Sequence, residues 1–235
     1  MTDLSAYLST SANTTSRESL VAHRALYEMK LAAARIGYDL RVFIPDVDRD
    51  GYDVVLEDGD TLFRLQFKAT VNAKSSATRI HRGLLRPSMY ACEDLGFESS
   101  PVGVGFGGGV VQCLLDVDGS DLKMAYRFAD IRTLLAYHWG LLKGPSPSDC
   151  SKLFSRLSEG KGAERVNLKP SFLVRPRDHD SMLALMGLHS ATGSNWPHLL
   201  QKLGRATGGH GPRNGQPAAA ECGAALSALQ GLIET

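Results

Sequence analysis

Cysteine is scarce and scattered in this 235-residue chain: Cys92, Cys113, Cys150 and Cys222 stand alone, with no CxxC pair among them. That spacing argues against a zinc site or a disulfide framework. It leaves buried free thiols, the state expected in a reducing compartment. Also missing is an uninterrupted apolar run long enough to span a bilayer. The most apolar stretch, residues 101–115, is broken by glycines. Residues 1–19 are polar and rich in Ser and Thr, without the basic-then-apolar pattern of a secretory leader. A cytoplasmic location with no membrane partner is therefore the expectation. A charge excess of either sign is lacking too, since the formal net charge is only +1. The total conceals a division, because residues 1–60 carry an excess of acids while residues 72–86 carry bases and no acid. The glycines at 103, 105 and 107–109 are not followed by Gly-Lys-Ser/Thr, so they do not form a P-loop and read as a hairpin.

What is present suits one ordinary domain or slightly more, with 43% hydrophobic residues to build a core. Apolar residues at helical spacing predict a helix over 16–36, capped by Ser16 or Ser19 and stopped by Gly37. A short strand is expected over 40–44. An acidic loop follows, with Asp46, Asp48 and Asp50. Strands are expected over 52–56 and 61–69, joined by the hairpin turn Glu57-Asp58-Gly59-Asp60. Alternation in the second of these places Leu62, Arg64, Gln66 and Lys68 on one face. Residues 72–86 read as a basic connector, 87–95 as a short helix, and 102–106 and 110–117 as strands. Helices are expected over 129–142, 180–188 and 196–203, with a last strand over 167–174. Residues 1–203 then form the main domain, 204–217 a Gly- and Pro-rich flexible linker, and 218–235 a C-terminal helix. The order of elements predicts an α/β core whose central mixed sheet is flanked by helices.

Hydrolysis of a phosphodiester by water needs a metal to activate the water and to offset charge on the phosphate. Magnesium asks for hard oxygen ligands and keeps several of its waters. A lysine nearby can orient the water. The hairpin offers such a set: Asp53 on the first strand, Gln66 and Lys68 on one face of the second, and Glu28 on the preceding helix. After the hairpin, Lys74, Arg79, His81, Arg82 and Arg86 form a basic run suited to phosphate contacts. Asp178-His179-Asp180 reads as a surface turn, and Cys113, Trp139 and Trp196 read as core.

These residues resemble a known family. Asp50-Gly51-Tyr52-Asp53, the 57–60 turn and Leu65-Gln66-Phe67-Lys68 look like the D…(D/E)xK signature of the PD-(D/E)xK nucleases. The resemblance covers residues 16–86. Glu28 is similar to the additional helical glutamate of many members, including archaeal Holliday-junction resolvases. The resemblance implies a restriction-endonuclease-like fold and a Mg2+- (or Mn2+-) dependent endonuclease. It implies that Asp53 bridges the metal, Glu28 completes its shell and Lys68 positions the nucleophilic water. Gln66 stands where the family usually has a carboxylate. Some homing endonucleases and bacterial defence nucleases also carry QxK, which implies that Gln66 still assists the metal. Double-stranded DNA is the implied partner and defence against foreign DNA the implied role, with intron homing and junction resolution as rivals. A homodimer or larger assembly would let two sites cut both strands. The alternatives are a non-catalytic nucleic-acid-binding module that retains the fold and a protein-interaction component of a larger assembly.

Overall fold

The computed structural model describes residues 4–45, 51–71, 77–118, 121–158, 164–212 and 219–234. The chain opens with a short helix, α1 (Leu4–Ser9), and a 3-10 turn that leads into the long helix α2 (Thr14–Arg35). Helix α2 starts earlier than the expected Ser16 cap, because the preceding turn feeds straight into it. Its inward stripe is Val21, Ala25, Leu26, Met29, Ala32 and Ala33. It ends where expected: Gly37 takes a left-handed φ of 81°. The Gly37 N–H reaches Ala34 O at 3.0 Å and the Tyr38 N–H reaches Ala33 O at 3.1 Å, which satisfies carbonyls that the last turn leaves open.

Strands β1 (Arg41–Phe43), β2 (Val54–Glu57) and β3 (Leu62–Val71) form an antiparallel meander. The Asp-Gly turn behaves as expected. Gly59 adopts φ 97°, and Asp58 Oδ1 accepts the Thr61 N–H at 3.0 Å. A distant segment locks the same side chain, because the His189 N–H donates to Asp58 Oδ2 at 2.7 Å.

After β3 the chain crosses over through β4 (Thr78–His81) and two 3-10 turns between residues 89 and 95. It returns as β5 (Gly109–Asp118), parallel to β3, and doubles back as β6 (Asp121–Asp130). The main sheet is therefore mixed, ordered β1-β2-β3-β5-β6. The expected strand over 102–106 is absent, and that segment packs as a loop. A Cβ at Gly105 would lie 2.3 Å from Gly83 O and one at Gly103 2.1 Å from Glu98 O, so the glycines serve close backbone approach. The expected helix over 87–95 is only the pair of 3-10 turns, and the helix expected from 129 begins at Ile131, because β6 precedes it.

The rest of the chain adds helices α3 (Ile131–His138) and α4 (Pro147–Ser158), then strand β7 (Arg165–Leu168), which pairs with β4. Helices α5 (His179–Met186), α6 (Trp196–Ala206) and α7 (Ala219–Gln230) complete it, with α7 packed on α6. The first part of the expected linker is packed: α6 runs to Ala206, and a Cβ at Gly211 would lie 2.3 Å from the Trp139 ring. Trp139, Trp196 and Cys113 are buried core residues, as expected. The fold is an α/β core with a mixed central sheet flanked by helices. Among the described residues no helix is long and apolar enough to cross a membrane.

Helix α5 depends on its cap. Asp178 has extended backbone and accepts the Ser181 N–H at 2.7 Å. Asp178→Ala is expected to cost about 1 kcal/mol, a melting temperature lower by about 2–4 °C for a chain of this size. Calorimetry on the two proteins checks it.

Candidate functional site

Asp53 sits just before β2, where the ladder with β3 is irregular. The Asp53 N–H donates to Leu65 O at 2.9 Å, although the ladder pairs Leu65 with Val54. Two residues of one strand thus face one of the other, the geometry of a β-bulge. The Asp53 carboxylate then folds onto β3, and its Oδ2 accepts the Phe67 N–H at 2.6 Å. These two bonds bracket Gln66, so the carboxylate is fixed at that level of β3. The neighbouring Gly51 requires its positive φ of 73°, and a Cβ there would lie 2.4 Å from His81 Cβ. The start of β2 is in this way docked against β4.

Cross-strand partners project to the same face of a sheet. Lys68 pairs with Gln112, and Gln112 with Arg127, so these three share the face of Gln66. This face lies under β4, because Gln112 Nε2 donates to Thr70 Oγ1 at 3.2 Å and to Thr78 Oγ1 at 3.3 Å. Gln66 is 7% exposed and Gln112 1%. The Oε1 atoms of both are buried without a hydrogen-bond partner. An unpaired buried amide oxygen costs about 1–3 kcal/mol. Two of them stand beside Lys68, one two residues along β3 and one at its cross-strand position. Arg64, further along the same face, donates to Phe106 O at 3.1 Å and lies over the Tyr52 and Phe106 rings.

Glu28 is elsewhere. The next row of the sheet is Ala69, Cys113 and Tyr126, which project to the opposite face. Tyr126 donates its hydroxyl to Glu28 Oε2 at 2.6 Å, Arg24 Nε donates to Oε1 at 3.2 Å, and His179 Nε2 lies 2.8 Å from Oε2. The His179 ring is not aligned for a hydrogen bond there, and its Nε2 counts among the buried atoms without one. Burial on its own would raise the Glu28 pKa. The Tyr126 and Arg24 hydrogen bonds, together with the His179 and Arg24 charges, outweigh it and hold this carboxyl below the usual glutamate value. The same cluster pushes the Tyr126 hydroxyl up, by burial first and then by Glu28, and burial together with Glu28 pushes the Cys113 thiol up. Cys113 is therefore no nucleophile. The structure gathers Asp53, Gln66 and Lys68 and puts Glu28 on the other side of the sheet, tying α2 to β6 and α5.

The basic run divides similarly. Arg79 is exposed on β4, and His81 is half-buried with its ring stacked on Phe106. Arg82 is half-buried, and its N–H bonds to Glu164 O. Arg86 is 5% exposed and donates through Nε to Leu157 O, so it is an interior residue and not a surface contact for DNA. Burial, then the charge of Arg82, lowers its pKa. Lys74 and the acidic-loop residues Asp46, Asp48 and Asp50 lie outside the described residues. Asp178-His179-Asp180 is no mere surface turn: Asp178 caps α5, and His179 meets Glu28. Gln112, Tyr126, Arg127 and His179 were not legible as site residues. Of these, Gln112 left a signal in the sequence as a lone amide within the apolar run of residues 110–115, and His179 left one in the Asp178-His179-Asp180 string that reads as a surface turn.

Among the described residues no group of three His, Cys, Asp or Glu side chains is placed to hold a metal. The donors around Lys68 are one carboxylate and two amide oxygens. They are hard ligands of the type magnesium accepts, and they suit an ion that keeps its waters and leans on a substrate phosphate. No protein-family model, curated protein or solved structure matches the chain.

Proposed function

We propose that this chain is a metal-dependent endonuclease acting on DNA phosphodiester bonds at the Asp53–Gln66–Lys68 cluster. The observation that carries the reading is the pair of bonds that bracket Gln66, the Asp53 N–H to Leu65 O and the Phe67 N–H to Asp53 Oδ2, the second of which fixes the carboxylate on β3 at the residue before Lys68. Asp53 and the orphaned Gln66 Oε1 are the residues that would hold Mg2+ or Mn2+. Such an ion, when bound, acidifies a water and offsets phosphate charge. Lys68 makes no ion pair among the described residues, so its ammonium remains available to a phosphate oxygen and to the attacking water. Glu28, held by Tyr126 and Arg24 on the opposite face of the sheet, has a structural role. Resemblance to QxK nucleases supports double-stranded DNA as substrate and defence as the role.

Supercoiled plasmid incubated with Mg2+, Mn2+ or EDTA tests this. Wild type is expected to nick only with a metal, and Lys68→Ala is expected not to nick. Equal nicking by Lys68→Ala overturns the reading. One observation favours a second reading, a DNA-binding module that does not cut: Gln66 is neutral and Glu28 is bound elsewhere, which leaves a single described carboxylate at the site. Salt-sensitive DNA binding without metal-dependent nicking would select it.

A further inference from the structure

The row that contains Lys68 does not stop at Arg127. Phe128 bridges to Val174 beyond the sheet edge, which sets Arg175 beside Arg127. Four positions follow one another across the molecule on one face: Lys68, Gln112, Arg127 and Arg175. With strands about 4.8 Å apart, the row spans about 14 Å.

Its place in the fold matters. On one side the same face is closed, since Gln66, Val110 and Ala129 are buried. On the other side it opens, since Ala125 and Lys123 are exposed. Within the row Gln112 is under β4, Lys68 and Arg127 are half-buried and Arg175 is exposed. Lys68 and Arg127 thus flank the Gln112 that β4 covers, Arg175 follows at the sheet edge, where it also borders a cavity lined by Glu28, Tyr126 and His179, and the exposed Arg79 follows directly on the Thr78 that Gln112 holds. The buried Gln112 Oε1, without a partner, stands between Lys68 and Arg127 and can accept from either.

The row is short of counter-charge. Neither Lys68 nor Arg127 has an acidic partner among the described residues. Arg175 reaches Glu234 only at 3.8 Å, with both side chains more than half exposed. By register, Asp116 on the same face stands opposite Lys123, four residues along β5 from Gln112. Burial first, and then the charge of Arg175, lowers the Arg127 pKa. Two adjacent arginines without an acid to separate them repel, and an anion between them relieves that repulsion.

We propose that Lys68, Arg127 and Arg175 form a phosphate-binding track that seats the backbone of a nucleic-acid strand along this row. The straight row favours a polyanion over a single small anion. Measured along the axis of a duplex, its span corresponds to about four nucleotides of one strand at 3.4 Å each. The track shares Lys68 with the hydrolytic site, but it does not depend on hydrolysis.

A fluorescent 20-nucleotide single-stranded DNA, titrated with the full chain in EDTA at several KCl concentrations, tests it. Arg127→Gln and Arg175→Gln are each expected to weaken binding about fivefold and to reduce the slope of log K against log salt by about 0.7. Arg175 is exposed, so its variant folds even if Arg127→Gln does not. Glu234→Gln, which frees Arg175, is expected to tighten binding. Arg205→Gln, on α6 and paired with Asp94 away from the row, is expected to change nothing. The proposal is overturned if the wild type shows no salt-dependent binding, or if both row variants bind with unchanged affinity and slope. It is also overturned if the variants lose anionic-vesicle binding to the same extent as oligonucleotide binding. Row-dependent binding without any metal-dependent nicking leaves the track standing and removes the hydrolytic reading. Nicking with row-independent binding does the reverse.

Discussion

Asp53→Asn is expected to slow plasmid nicking roughly a thousandfold while leaving the fold intact, because it removes the only described carboxylate at the site. Asparagine is the informative replacement. Its side-chain oxygen can still accept the Phe67 N–H that Asp53 Oδ2 now takes at 2.6 Å. Alanine would orphan that backbone donor as well, and loss of activity would then mix with loss of stability. The charge change acts on the metal. An ion held by one carboxylate and amide oxygens draws most of its protein-derived stabilisation from that carboxylate. The metal concentration for half-maximal nicking should therefore rise in Asp53→Asn, and the melting temperature in EDTA should move by no more than a few degrees. Metal titrations of nicking, run beside thermal melts, read both. Unchanged nicking in a protein of wild-type stability would remove Asp53 from the site, and with it the proposed hydrolytic centre.

How this site could be seen in the sequence depends on how local each part is. The β2–β3 hairpin is local: the Asp-Gly turn and the alternation of residues 62–69 sit within eighteen residues, and both were legible. So were the α2 stripe and its Gly37 stop. The parallel pairing of β3 with β5 was not, because a crossover of nearly forty residues separates them and no local pattern encodes it. That pairing is what brings Gln112 to Lys68. Strand β6 escaped notice because it mixes charges with small residues, as an edge strand does. Tyr126 and Arg127 escaped with it. The glycines at 103, 105 and 107–109 read as a hairpin, whereas those at 103 and 105 are required by a backbone that presses against each of them. Arg86 shows the limit of reading charge from sequence. It belongs to a basic run, yet its stem and head are interior, with Leu157 O as acceptor.

Glu28→Ala is expected to destabilise the protein by about 3 kcal/mol while leaving the metal dependence of nicking unchanged. In the sequence Glu28 looked indispensable to a metal, since Gln66 is neutral. In the structure one carboxylate serves Tyr126, Arg24 and His179, on β6, α2 and α5. Removing it strands the half-buried Tyr126 hydroxyl and takes one acceptor from Arg24, which keeps Leu122 O, and hydrogen bonds to charged groups are worth about 1.5–3 kcal/mol each. The acid limb of the stability curve gives a second reading. The folded-state pKa of Glu28 lies below its ordinary value, so the contribution of this group is fully present above that ordinary value. It is lost as pH falls through the depressed folded value. Glu28→Gln, which keeps the shape and can still accept from Tyr126, should flatten the fall in stability on the acid side of the ordinary glutamate pKa and leave neutral-pH stability less affected than alanine does. Urea melts of the three proteins across that range measure it. A glutamate that served the metal would behave otherwise: its loss would weaken nicking and metal affinity and spare the melt in EDTA. The two variants thus decide on which side of the sheet the carboxylate does its work.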